Sequence, residues 1–255
     1  MKKFINKVDN LLTESLTGFA QVHSDLVSLN LDPNFLTRKQ INNDKVILIS
    51  GGGSGHEPLH TGFIGYGMLD AACPGHVFTS PTPDQMIAAA DSFQTNKGIL
   101  FIVKNYSGDI MNFEMASEML SVNNKTVLTN DDVAVINSSY TTGKRGVAGT
   151  VIVEKVVGSA AQAGADLDTC KNLGDKVNER CCSMGVALTS CTVPAAGKPT
   201  FDINDHEIEM GVGIHGEPGR RRESMKEADL IVQDMMTAIL DGFKNKNIEL
   251  RSNNE

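Results

Sequence analysis

The 255-residue sequence predicts an α/β protein: a mostly parallel sheet flanked by helices, followed by a smaller α/β second domain. The first observation is a pair of apolar runs, Val46-Ile47-Leu48-Ile49 and Ile99-Leu100-Phe101-Ile102-Val103, too continuous for half-exposed strands and suited to strands covered on both faces. The second is their context, since each run closes on a glycine-bearing loop and helical segments follow, the rhythm of a sheet with helices on both sides. The third is a change of texture after residue 183, where short alternating segments such as Ile208-Glu209-Met210-Gly211-Val212 suit a second sheet of more antiparallel character. The division predicted is 1–182 and 183–255.

Taken in order, Phe4, Val8, Leu11, Leu12, Leu16 and Phe19 recur at three- and four-residue steps and predict an amphipathic first helix. Residues 30–43, polar and interrupted by Pro33, read as irregular and lead to a strand over 45–50. The glycine-dense stretch 62–67 reads as loop or a short broken helix. Cys73-Pro74-Gly75 reads as punctuation before a short strand at 76–78, and Thr82-Pro83-Asp84 opens a helix over 83–92. The strand over 98–104 ends at Asn105-Tyr106-Ser107-Gly108-Asp109, and a helix follows to about residue 120. Further on come a short strand at 125–128, a loop or extended piece at 131–135, a long apolar helix over 147–163 and another from Asp166 to 181. A final amphipathic helix covers 224–243, and a polar tail closes the chain.

A net charge of −8 argues against a broad nucleic-acid or anionic-membrane surface. The basic start Lys2-Lys3 is followed by Asn6, Lys7, Asp9 and Asn10, which leaves no apolar region for a signal peptide. No apolar run approaches the ~20 residues of a membrane span, so a cytoplasmic protein is expected. Five cysteines form an odd set without CxxC spacing and read as reduced thiols.

Three polar residues stand in glycine-rich loops: His56 after the first apolar strand, Asp109 after the second, and His215 in Gly213-Ile214-His215-Gly216-Glu217. Such loops let backbone and side chains converge on a small ligand. Two histidines and an aspartate suit a metal site, an acid/base pair, or a nucleophile with its orienter. No histidine pair is read as having the helical i,i+4 spacing of zinc sites, so no metal is expected. A self-held nucleotide is disfavoured too, because GxxxxGK[ST] is missing and His56 occupies the third glycine's place in GxGxxG.

Five stretches then carry a resemblance that spans nearly the whole chain. Gly51-Gly52-Gly53-Ser54-Gly55-His56-Glu57-Pro58, Phe78-Thr79-Ser80-Pro81-Thr82-Pro83-Asp84, Lys104-Asn105-Tyr106-Ser107-Gly108-Asp109, Cys191-Thr192-Val193-Pro194-Ala195-Ala196-Gly197-Lys198-Pro199 and Gly211-Val212-Gly213-Ile214-His215-Gly216-Glu217-Pro218-Gly219 closely resemble the substrate-binding subunits of bacterial, phosphotransferase-dependent dihydroxyacetone kinases. The resemblance implies a homodimeric kinase subunit, inactive alone, that holds dihydroxyacetone while a separate subunit brings the phosphoryl group on ADP or ATP with Mg. No cofactor is then bound by this chain, and neither nucleic acid nor membrane is a partner. It further implies that His215 attacks the ketone to form a hemiaminal, that His56 and Asp109 contact the hydroxyls and assist proton transfer, and that Gly53, Ser80 and Lys104 line the pocket. Members of that group continue past the helix expected to end near residue 243, so the second domain is expected to be C-terminally incomplete relative to them. A paralogous ketose-sensing coactivator without kinase activity is the alternative implied.

Overall fold

The two apolar runs become neighbours at the centre of a six-stranded sheet. In the computed structural model, which describes residues 2–135, 141 and 143–248, the strands are β1 (Val27–Leu31), β2 (Asn34–Arg38), β3 (Ile47–Ser54), β4 (Ala71–Val77), β5 (Ile99–Lys104) and β6 (Asn124–Thr129). They lie in the order β1-β2-β4-β3-β5-β6. The last four strands of that order pair in parallel, and the β1–β2 hairpin joins the β4 edge antiparallel.

Strand alternation sends Leu48, Leu100 and Ile102 to one face, where they pack with Leu16, Val153, Val157 and Leu167. Those partners come from α1 (Leu11–Val22), α4 (Gly149–Gln162) and α5 (Leu167–Glu179). Ile47, Ile49, Phe101 and Val103 take the opposite face and meet Met86, Ala89, Phe113 and Ala116. Those partners lie on α2 (Pro83–Asp91) and α3 (Ser107–Met119). Fully burying a side chain of this size contributes roughly 1.5–3 kcal/mol, so the central strands are firmly anchored. Among the described residues no helix is long and apolar enough to cross a membrane.

Three local expectations are corrected. Residues 30–43 are not wholly irregular, because β2 and the end of β1 pair there. Thr37 and Arg38 look like solvent residues yet are buried, Arg38 because its guanidinium meets Asp70 at 3.1 Å. The first helix starts at Leu11 after a single 3-10 turn at Val8–Asn10, and Phe4 is left fully exposed. Cys73-Pro74-Gly75 is not punctuation but the middle of β4, and β3 correspondingly runs through its glycines to Ser54. Pro74 is tolerated because β2 pairs only as far as Ala72, so its missing N–H faces no strand on that side. The glycines of β3 are required by closeness: a Cβ on Gly51 would lie 2.6 Å from the Cys73 carbonyl oxygen.

Beyond residue 183, β7 (Val186–Ala187), β8 (Glu207–Met210) and β9 (Arg221–Ser224) form an antiparallel three-stranded sheet, and α6 (Ala228–Asn245) follows. This sheet is joined to the segment after β6 by backbone hydrogen bonds, Val133 N to Ser183 O at 2.9 Å and Ser183 N to Asp131 O at 2.8 Å. The carboxyl ends of β3 and β5 therefore face the loop between β8 and β9, which is where open α/β sheets place their ligands.

Candidate active site

Just past β3 the chain turns at Gly55, whose φ of +95° favours glycine. Gly55 N donates to the Glu57 carboxylate at 3.0 Å, which curls the loop and sets His56 flat on Phe78, ring centroids 4.6 Å apart. Gly53 lets that packing happen, since a Cβ there would lie 2.6 Å from Thr79 N. Burial, then the neighbouring His215 and Lys104, push the His56 imidazole down to about 3, so the ring is neutral near pH 7. Its Nε2 is buried and has no hydrogen-bond partner among the described residues.

The β5–α3 junction supplies the next groups. Lys104 ends the strand, Tyr106 caps α3, and Asp109 lies in the first turn, where the partial positive charge of the helix N-terminus favours a carboxylate. Lys104 Nζ sits 3.7 Å from Asp109 Oδ2, donates to Gly51 O at 3.3 Å and lies 2.9 Å from His60 Nε2. Ser80, on the loop before α2, leans over the same turn: a Cβ on Gly108 would be 2.9 Å from Ser80 Oγ.

His215 comes from the β8–β9 loop. Glu217 grips it twice, accepting from His215 N at 2.9 Å and pairing with Nδ1 at 3.1 Å. Burial alone would raise the Glu217 carboxyl, but the hydrogen bonds from the His215 ring and backbone outweigh it and hold the group below its usual value. Gly213 has no room for a side chain, because a Cβ would overlap the Glu217 carboxylate and Arg145. Arg145, fully buried, pairs with Asp132 at 2.6 Å and donates to Gly211 O at 2.7 Å, binding the loop to the segment after β6. The His215 ring stands edge-on to His56 at 5.0 Å, to Tyr106 at 4.9 Å and to Phe78 at 5.7 Å.

An open cleft of about 560 Å³ lies over this junction, lined by Phe78, Thr79, Ser80, Tyr106, Ser107, Gly108, Met111, Asn112 and His215. That is within the range of small-molecule sites. Of the residues singled out in the sequence, Ser80 and His215 line the cleft, and His56 touches His215 from beside Phe78. Lys104 and Asp109 pair with each other in the buried layer below, and Gly53 packs under the Phe78–Thr79 turn. Among the described residues no group of three His, Cys, Asp or Glu side chains is arranged to hold a metal.

Sequence reasoning missed His60, Glu154, Tyr106, Glu217 and Arg145 as working parts. One signal was available: His60 stands four residues after His56. The segment between them is turn rather than helix, so the rings part, His56 to Phe78 and His60 to Lys104.

Residues 17–254 match the model of the Dak1 domain. The chain belongs to the Dak1 family. It is 52% identical over 244 residues to the "PEP-dependent dihydroxyacetone kinase, dihydroxyacetone-binding subunit DhaK" of Escherichia coli K12, covering 94% of this chain and 68% of that protein. The corresponding "PTS-dependent" subunit of Lactococcus lactis is 47% identical, with 95% and 74% covered. Among solved structures, the dihydroxyacetone kinase of C. freundii in complex with AMP-PNP and Mg2+ superposes with a TM-score of 0.85 at 36% identity, covering 94% of this chain and 45% of that one. The dihydroxyacetone kinase operon co-activator DhaQ superposes at 0.84 with 30% identity, covering 92% and 72%. Dak1 membership and the kinase subunits among its relatives place the chain in a phosphotransferase family.

Proposed function

We propose that this chain is the dihydroxyacetone-binding subunit of a dihydroxyacetone kinase, that it holds the ketose as a hemiaminal on His215, and that it presents one hydroxyl for phosphoryl transfer from a nucleotide on a separate subunit. The observation that carries the reading is the His215 ring, tied at Nδ1 to Glu217 and set edge-on to His56 and Tyr106 over a cleft shared with Ser80. With the proton on Nδ1 donated to the carboxylate, Nε2 keeps its lone pair, which attack on a carbonyl carbon requires. As the C–N bond forms, the carbonyl π pair moves onto oxygen. That oxygen takes up a proton while Nδ1 releases its own toward Glu217, so the adduct is neutral and its formation reversible.

The covalent bond answers a problem of size. Dihydroxyacetone has six non-hydrogen atoms, and the ceiling of ~1.5 kcal/mol per atom caps its noncovalent binding near ~9 kcal/mol, which small polar ligands do not reach. The bond also rejects glycerol, which offers hydroxyls but no carbon for the imidazole to attack. His56, held neutral, and Asp109 contact the substrate hydroxyls, and one of them accepts the proton released as the hydroxyl oxygen attacks phosphorus. Gly53, Ser80 and Lys104 complete the wall. Residues 1–182 form the domain that carries His56 and Asp109, and residues 183–255 the domain that brings His215, in a cytoplasmic homodimer.

The nucleotide, ADP or ATP with Mg, supplies the phosphoryl group from the partner, and this chain's part is to aim the hydroxyl in line. Support for that division comes from the C. freundii kinase bound to AMP-PNP and Mg2+, more than half of whose length lies outside the match. Intact-mass spectrometry of the protein soaked in dihydroxyacetone tests the binding step. An increment of one ketose is expected in the native protein and none in His215→Ala; an increment that survives the substitution overturns the nucleophilic role. The likeness to a co-activator favours a second reading, a ketose sensor without kinase activity. Mixing with a nucleotide-carrying kinase subunit separates the two, since only a kinase subunit yields dihydroxyacetone phosphate.

A further inference from the structure

Beneath the cleft, Lys104 and Asp109 continue into a buried line of polar groups whose further members, His60 and Glu154, the proposed chemistry leaves unused. Glu154, on α4, lies 2.7 Å from His60 Nδ1; His60 Nε2 lies 2.9 Å from Lys104 Nζ; and Lys104 Nζ lies 3.7 Å from Asp109 Oδ2. Ser50 Oγ approaches the same His60 Nδ1 at 3.0 Å while donating to Ile102 O at 2.6 Å. All five side chains are buried. The line therefore joins a helix on one face of the sheet to the carboxylate proposed to handle the substrate's proton.

We propose that His60 and Glu154 are positioning residues for the reaction, fixing the Lys104 ammonium so that it in turn fixes the Asp109 carboxylate beneath the substrate. The inference rests on the function proposed above. The tautomer follows from the donors. An ammonium has only protons to offer, so His60 Nε2 must accept from Lys104, and the ring proton must sit on Nδ1, where Glu154 accepts it. The imidazole is thus neutral and held at both ends, a spacer of fixed length between α4 and Lys104.

Electrostatics agree with the geometry. Burial, then the Lys104 charge, hold His60 well below its ordinary value, and burial pushes Glu154 up to about 8. Lys104 thus has the Asp109 carboxylate on one side and the neutral His60 ring, which separates it from Glu154, on the other. Room is made for this arrangement at Gly52, where a Cβ would overlap Lys104 Nζ. A core meant only for stability would fill such a place with apolar side chains, since buried ion pairs seldom outperform them.

Two substitutions at one position separate positioning from support. His60→Asn keeps an amide near Nδ1, for Glu154 and Ser50, and removes the acceptor for Lys104; His60→Gln places its amide oxygen near Nε2 and restores that acceptor. With a nucleotide-carrying subunit supplied, His60→Asn should lower kcat about 10- to 100-fold, as a misplaced group does, while the dihydroxyacetone mass increment persists. His60→Gln should recover most of the loss. Unchanged turnover in His60→Asn, equal losses of turnover and adduct, or equal impairment of both variants would overturn the proposal.

A second readout does not depend on the ligand. The 15N spectrum of the native His60 ring should show the proton on Nδ1 and a hydrogen-bonded, unprotonated Nε2, and Lys104→Met should change the Nε2 signal. A proton on Nε2 in the native protein overturns the inference whatever the substrate is. A correct 15N signature with no mass increment in the native protein would instead locate the failure in the proposed function.

Discussion

β3 is buried along all eight of its residues, whereas β9 is exposed at three of its four, and the two proposed walls of the cleft hang on these unequal supports. The wall with His56, Lys104 and Asp109 grows from strands covered on both faces by helices, so its groups are placed by packing. The wall with His215 is a loop on a small sheet whose attachment relies on polar contacts: Arg145 to Asp132 and Gly211 O, and Arg220 to the carbonyls of Val133 and Ala134. A packed strand loses stability in proportion to the area exposed. A polar attachment fails when one partner is removed, because the other is left buried and uncompensated.

The sharpest way to break this contrast is Arg145→Met. Removing the guanidinium strands Asp132 in the interior and should cost about 3–5 kcal/mol, read as a lowered urea midpoint, with loss of the dihydroxyacetone adduct. A midpoint near that of the native protein would mean that the His215 loop is held by something else. Next in size is Gly52→Ala on the packed wall. Its methyl would drive Lys104 from its place, and overpacking of this kind costs about 1–3 kcal/mol. Turnover should fall further than stability alone explains, and a native kcat would show that Lys104 tolerates displacement.

The buried titratable groups give the packed wall a pH signature of its own. His56 is held at about 3 against a usual 6.5, so between those values the unfolded chain binds more protons. Its share of stability is whole above 6.5 and is lost as pH falls toward 3, by at most roughly 1.4 kcal/mol per pH unit for one proton. Glu154, raised to about 8 from 4.5, acts in the opposite sense: its contribution is whole below 4.5 and is lost as pH rises through 8. Urea denaturation across this range should show the alkaline loss reduced in Glu154→Gln and the acid loss reduced in His56→Gln. The smallest effect belongs to the outer ion pairs of the second sheet. Arg221 and Lys226 meet Asp234 in solvent, and Asp234→Asn should leave the urea midpoint within error.

The same contrast explains what the sequence disclosed. Continuous apolar runs announced β3 and β5, because burial on both faces dictates composition, and their glycine-bearing ends announced the loop of His56, whereas Asp109, expected in a loop, lies in the first turn of α3. The β1–β2 hairpin stayed hidden because its buried members include Thr37 and Arg38, and partners far along the chain, Asp70 and Gln162, make Arg38 an interior residue. His60 and Glu154 are 94 residues apart, and nothing in local composition says that they meet. Glu217 could have been anticipated two residues after His215, since a carboxylate so close can bond back to the imidazole. The attachment through Arg145 could not, as it depends on how the second sheet meets the first.

The most direct test of the account is the fate of one carbon. Dihydroxyacetone labelled with 13C at the carbonyl and bound to protein labelled with 15N in histidine should lose its ketone resonance and gain that of a tetrahedral carbon bearing oxygen and nitrogen, coupled to a ring nitrogen of His215. A bound carbon that stays trigonal in the native protein, with no coupling to histidine nitrogen, would contradict the account.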